Sequence, residues 1–190
     1  MVVPQKRDQM VALRRASTRQ WTLKPHDLAV AFKLVALKDV RPSYAVLAKQ
    51  LHMSPFEVHA AVQRLLSARL AVERDGVVRL IIAALRAFVI HGASYAYPPV
   101  RGEITVGFPT AHAVSPLKEQ MQAAEDAIPV WPHPDGIARG ESLLPLYEKL
   151  PLAAKADPAF YELLALFDAL RTGQAREREL AKRMLEERLQ

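Results

Sequence analysis

Residues 43 to 80 read SYAVLAKQLHMSPFEVHAAVQRLLSARLAVERDGVVRL, and the order of signals in this stretch decides the fold. Leu47, Ala48 and Leu51 recur at helical spacing behind Ser43, a residue suited to capping a helix start. After His52 and Met53, the tetrad Ser54-Pro55-Phe56-Glu57 marks a second start. The Ser54 hydroxyl can accept from a first-turn amide while Glu57 reaches back to the Ser54 amide, and Pro55 suits the first helical position because an N–H there would have no partner. The second helix, Pro55 to Ala68, then places Val58, Ala61, Val62, Leu65 and Leu66 on one side and Phe56, His59, Ala60, Gln63 and Arg64 on the other. Beyond Leu70, two short β-prone runs, Ala71 to Arg74 and Val77 to Leu80, flank the turn dipeptide Asp75-Gly76.

Upstream, Leu28, Ala31, Phe32 and Val35 line one face of a helix from His26 to Leu37, and Val30, Leu34 and Leu37 form a second apolar stripe. A helix so apolar is expected to be buried on two sides. Asp27 sits in its first turn, where a carboxylate suits the helix dipole. Helices this short are stabilised by packing on one another, and Val35, Leu47, Leu51, Val58, Val62 and Leu65 are the expected core. Two helices joined by a tight turn can present the second to a major groove.

The runs Leu47-Ala48-Lys49-Gln50-Leu51 and Ser54-Pro55-Phe56-Glu57-Val58, with the short basic hairpin Ala71 to Leu80, resemble the winged helix-turn-helix of MarR-like bacterial transcriptional regulators. The resemblance spans roughly residues 25 to 80. That family often has glycine where the recognition helix passes to the wing, and Arg69 stands there in this chain. The resemblance implies a DNA-binding domain that acts as a two-fold dimer on half-sites roughly 34 Å apart. On the second helix, Gln63 suits adenine and Arg64 suits guanine, since each can pair bidentately with a base edge. Ser54 and His59 add contacts near the helix start, and Phe56 and Ala60 share the same face. Arg41, Ser43, Tyr44, Lys49, Arg74 and Arg79 are expected mainly to hold phosphates and fix register.

The charge distribution agrees with such a partner. Residues 1 to 100 carry 15 Lys or Arg against 6 Asp or Glu, residues 101 to 170 carry 5 against 10, and residues 171 to 190 carry 6 against 4. A protein that sits on phosphate needs a local basic excess, because displacing condensed counterions supplies most of its sequence-independent affinity. Residues 1 to 23 hold Lys6, Arg7, Arg14, Arg15 and Arg19 with one acid, Asp8, and read as a basic arm. The chain has no cysteine, which removes disulfides and thiolate metal sites and fits a reducing, cytoplasmic setting. Its most apolar stretch, Val77 to Ile90, is interrupted by Arg79 and Arg86, so no membrane span is expected.

The remaining chain divides by composition. Residues 24 to 92 form the expected winged domain, with a helix from Ile81 to His91 stopped by Gly92. Residues 93 to 143 contain prolines at 98, 99, 109, 116, 129, 132 and 134, and read as a loop-rich region with short strands at 94 to 97 and 103 to 108. Within it, Trp131 either packs over the winged domain or anchors a partner. Residues 144 to 190 return to helix: Asp157-Pro158 caps an apolar helix that stops at Thr172-Gly173, and a charged helix from Ala175 to Leu189 follows. This hairpin either closes on its own chain or pairs with a second subunit, and it is the expected dimer surface. The fold class is therefore mainly α with a small β-wing, a loop-rich middle and a C-terminal helical hairpin.

No catalytic constellation emerges. The six histidines lack ligand spacing, Gly92 to Ala96 lacks the second glycine of a nucleophile elbow, and Gly136 to Ser142 lacks the lysine of a phosphate loop and reads as a turn into Leu143. No metal, cofactor or enzymatic activity is expected. Sequence-specific binding of double-stranded DNA as a homodimer is the first reading. The alternative is a protein-interaction module, such as an antitoxin or adaptor for a neighbouring enzyme that also autoregulates its operon.

Overall fold

The computed structural model describes residues 22–38, 40, 42–121 and 127–190. The expected basic arm lies outside these residues up to position 21, and so does Arg41.

Helix α1 (Pro25–Ala36) begins where the Lys24 amide donates to the Asp27 carboxylate at 2.8 Å. Every residue from Asp27 to Lys33 is buried, as two apolar stripes on one helix require. Helix α2 (Tyr44–Leu51) starts at Ser43, whose Oγ accepts from the Val46 amide, and ends at His52 with a left-handed φ of 52°. Helix α3 (Pro55–Ser67) opens with the expected reciprocal cap: the Ser54 amide donates to Glu57 Oε2 at 2.8 Å, and the Glu57 amide donates to Ser54 Oγ at 3.2 Å. At the exit of α3, Arg69 takes the left-handed φ of 58° that glycine commonly supplies. A two-stranded antiparallel hairpin follows, β1 (Ala71–Arg74) and β2 (Val77–Leu80), with Ala71 opposite Leu80 and Arg74 opposite Val77. Its turn residues Asp75 and Gly76 both have positive φ, 53° and 70°, which matches the twist of the two strands. Of the expected core, Leu47, Leu51, Val58, Val62 and Leu65 are buried, whereas Val35 is only half-buried near the end of α1.

After helix α4 (Ile82–His91), the middle region departs from expectation. Residues 93 to 96 form a single helical turn, α5 (Ala93–Ala96), instead of a strand. The next strand, β3 (Arg101–Pro109), includes Arg101 and Gly102, which the sequence reading places in a turn. A 3-10 turn at Ala111–Ala113 and a one-turn helix, α6 (Leu117–Gln120), precede two further strands, β4 (Pro129–Pro132) and β5 (Ala138–Leu143). The expected turn at Gly136 to Ser142 is therefore largely strand. β3 pairs antiparallel with both β4 and β5, while β4 and β5 meet in a short parallel register, so each strand bonds to the other two. This closure depends on backbone proximity. A Cβ at Gly140 would lie 1.9 Å from the Ile128 carbonyl oxygen, so Gly140→Ala is expected to cost about 1–3 kcal/mol and to lower the urea midpoint without changing its slope.

Helices α7 (Leu150–Lys155), α8 (Pro158–Thr172) and α9 (Ala175–Arg188) complete the chain. Asp157 caps α8, accepting from the Phe160 amide at 3.1 Å through Oδ1, while Oδ2 accepts from buried Lys33 at 2.6 Å. Burial raises the Asp157 pKa, but the Lys33 hydrogen bond, the cap amides and the Lys33 charge together hold it below the usual carboxylate range. Phe32 meets Phe167 edge to face, so α1 packs on α8. The apolar residues of α9 and its end, Ala181, Met184, Leu185 and Leu189, are buried in the same core as α1, α3 and α4. Of the two alternatives for this hairpin, its apolar stripe therefore closes on its own chain. One hydrophobic core thus joins the N-terminal three-helix unit to the C-terminal helices. No helix among the described residues is long and apolar enough to cross a membrane.

Candidate nucleic-acid interface

Two faces of α3 have different fates. The inner face, Val58, Ala61, Val62 and Leu65, is buried against α1 and α2. The outer face carries Phe56, which is 79% exposed, with exposed His59 and Ser67 and half-buried Ala60 and Gln63. Tyr44 at the start of α2 meets His59 edge to face, with ring centroids 5.5 Å apart. Burial, with the nearby Glu73 carboxylate on β1 adding to it, raises the Tyr44 pKa, so its hydroxyl stays a protonated donor. The hairpin strand therefore lies close to the α2–α3 face. Lys49, Arg69, Arg74 and Arg79 are exposed, and so are Glu57, Glu73 and Asp75.

Arg64 does not belong to this face. Its Nε donates to Asp27 Oδ2 at 2.7 Å and its Nη2 donates to Oδ1 at 2.6 Å, a bidentate pair in which the carboxylate is fully buried. The hydrogen bonds and charge of Asp27 raise the already high pKa of Arg64 against the opposing effect of burial. The expected guanine reader is thus a strut between α3 and α1. The helical phase explains the correction: Arg64 follows buried Ala61 by three residues, so it lies at the edge of the buried face. A signal was present in the sequence, since Asp27 is followed by the apolar run Leu28 to Phe32 and a buried carboxylate needs a cation.

Ser54 is also committed, its hydroxyl accepting from the Glu57 amide and donating to Glu57 Oε2 at 2.7 Å. The Ser54 amide and hydroxyl hold the Glu57 pKa below its ordinary value. Ser43 uses a lone pair in its own cap, which leaves its proton for an acceptor outside the helix. Phe56, His59, Ala60 and Gln63 therefore share one face of α3, with Tyr44 of α2 against His59, while Arg79 of the hairpin lines a cleft with Leu34, Lys38 and Glu187.

Comparison with protein-family models, curated proteins and solved structures finds no match to this chain.

His26 adds a titratable group behind the interface. Its Nε2 lies 3.0 Å from Arg64 Nη2 and 3.4 Å from Asp27 Oδ1, and acceptance from the guanidinium requires the neutral ring. Burial lowers its pKa below 6.5, with Asp27 and Glu57 opposing and Arg64 and Lys24 reinforcing the shift. The unfolded chain then takes up a proton near pH 6.5 that the folded chain refuses. Stability is accordingly full above that pH and falls as pH drops through it. Urea midpoints measured at pH 7.5 and 5.5 are expected to fall toward acid, and His26→Gln should flatten part of that decline.

A separate cleft of about 600 Å³ lies between β3, β5 and the start of α9, lined by Arg101, His112, Glu141, Arg176 and Glu177 among others. Arg101 and Glu141 are paired at 2.5 Å, and His112 Nδ1 lies 3.3 Å from Glu177. The one hydroxyl in its lining, Thr172, donates to the Asp168 carbonyl at 2.6 Å. No group of three His, Cys, Asp or Glu placed to hold a metal ion occurs among the described residues.

Proposed function

We propose that this chain is a sequence-specific, double-stranded DNA-binding transcriptional regulator, a binding protein and not an enzyme, with α2 and α3 as its helix-turn-helix and β1–β2 as its wing. The supporting observation is the outer face of α3, which leaves Phe56, His59, Ala60 and Gln63 outward, with Lys49, Arg69, Arg74 and Arg79 exposed on α2, at the exit of α3 and on the hairpin. A helix stabilised on its inner side, with a cap at its N-terminus, can enter a major groove without rearrangement. The described cations barely outnumber the carboxylates on this side, so phosphate affinity would draw also on residues 1 to 21, where five basic residues face one acid. One α3 reads few base pairs, and discrimination within a genome requires two half-sites, so the reading includes a two-fold dimer. Its interface would be a surface other than the buried stripe of α9.

The deciding experiment is fluorescence anisotropy on the chain's own upstream DNA and on a shuffled duplex across a salt series. Preference for the native duplex that persists at high salt supports specific readout; equal binding that collapses with salt would refute it.

A second reading, a protein partner such as the enzyme of an adjacent reading frame, draws on a different surface. Ile104 and Val106 on β3 and Ile137 beside it are exposed, an apolar strip on the sheet that the DNA reading does not use. Co-expression with the neighbouring product, followed by size-exclusion chromatography, tests it; separate elution would remove it.

A further inference from the structure

The side chains that reach outward from α3 restrict what it can read, and this step rests on the DNA-binding reading above. Arginine, the usual guanine reader, is absent from the outer face because Arg64 is held bidentately by buried Asp27. Gln63 is the side chain there able to pair bidentately with a base, and its geometry matches adenine N6 and N7. Of the other outward groups near the helix start, His59 is polar and its ring lies edge to face on Tyr44, whereas Phe56 and Ala60 are apolar. Phe56 is 79% exposed and Ala60 follows one turn later. An exposed phenyl ring on the outer face of a helix that enters a major groove meets an apolar target there in the thymine C5 methyl.

We infer that α3 reads an A·T-containing step, with Gln63 on adenine and Phe56 and Ala60 packed against thymine methyl groups. Seven residues of helix separate Phe56 from Gln63, a rise of about 10 Å that covers roughly three base-pair steps. The recognised bases therefore lie within one short run on one half-site. Specificity comes from hydrogen bonding at one end of that run and from methyl burial at the other.

The test uses the full chain and DNA selected by it from a random duplex library, read by anisotropy. Each thymine of the selected duplex is replaced in turn by uracil, which removes the methyl and keeps every base-pairing group. One or two positions are expected to lose about fourfold in affinity, the effect of burying one methyl group. Phe56→Ala should weaken the thymine duplex by a similar factor and leave the uracil duplex unchanged; the ring is outside the core, so the fold should be retained, and circular dichroism verifies that. Selected sites made of G·C pairs, or uracil duplexes that bind as well as thymine duplexes at every position, would overturn the inference while leaving DNA recognition standing. Failure of the library to yield any preferred sequence would overturn both together.

Discussion

Asp168→Ala is expected to lower the melting temperature by roughly 10 to 15 °C, the equivalent of about 3–5 kcal/mol in a chain of this size. Asp168 is 2% exposed on α8 and is the common acceptor of three elements. Thr110 Oγ1 and Trp131 Nε1 each donate to its Oδ2 at 2.7 Å, and Arg171 Nε donates to its Oδ1 at 2.8 Å. Arg171, itself buried, also reaches the Tyr97 carbonyl at 3.3 Å and the Leu144 carbonyl at 3.1 Å. Removal of the carboxylate leaves a buried guanidinium, an indole N–H and a hydroxyl without their acceptor, and each orphaned donor adds its desolvation cost. Asp168→Asn keeps an acceptor for Trp131 but turns an amide or a neutral oxygen toward Arg171, so its loss should fall between wild type and alanine. Differential scanning fluorimetry distinguishes the three proteins. A melting point within about 2 °C of wild type for the alanine variant would mean that these bonds are not what holds the sheet to α8.

The same cluster shows where sequence reasoning stops. The N-terminal elements are legible because their signals are local: Ser54 and Glu57 cap α3, Asp75-Gly76 turns the hairpin, and Asp157-Pro158 starts α8, each within four residues. β4 and β5 carry no comparable mark. β4 is four residues long with proline at both ends, and β5 reads ARGESL without alternation, because these strands are defined by one another and by backbone contact at Gly140. Trp131 illustrates the consequence. Its burial was one of two open readings, yet it packs on Tyr161 of α8 at 5.2 Å and donates to Asp168, not over the winged unit. A contact 37 residues away leaves no pattern in the local sequence. The candidate interface was legible to the same depth: helical phase brought Phe56, His59, Ala60 and Gln63 to one face, but the partner that removes Arg64 from it lies two helices earlier, on α1.

That difference between neighbours yields the second large effect. Arg64→Ala should destabilise the fold by about 3–5 kcal/mol, because it leaves Asp27 buried without its cation, and the double variant Asp27→Leu with Arg64→Met should recover much of the loss. Gln63→Ala should change stability by no more than about 0.5 kcal/mol, as a half-buried surface substitution. On DNA the order reverses. Gln63→Ala is expected to weaken the preferred duplex by about 5- to 150-fold, the worth of a bidentate base contact, and to leave the shuffled duplex unaffected. The folded Asp27→Leu, Arg64→Met protein should keep wild-type preference, since its α3 outer face is untouched. Urea denaturation and anisotropy on the same four proteins separate the two roles. Loss of sequence preference in the double variant would show that Arg64 leaves Asp27 to reach a base, and the energy of the buried pair would then be spent in recognition instead of in the fold.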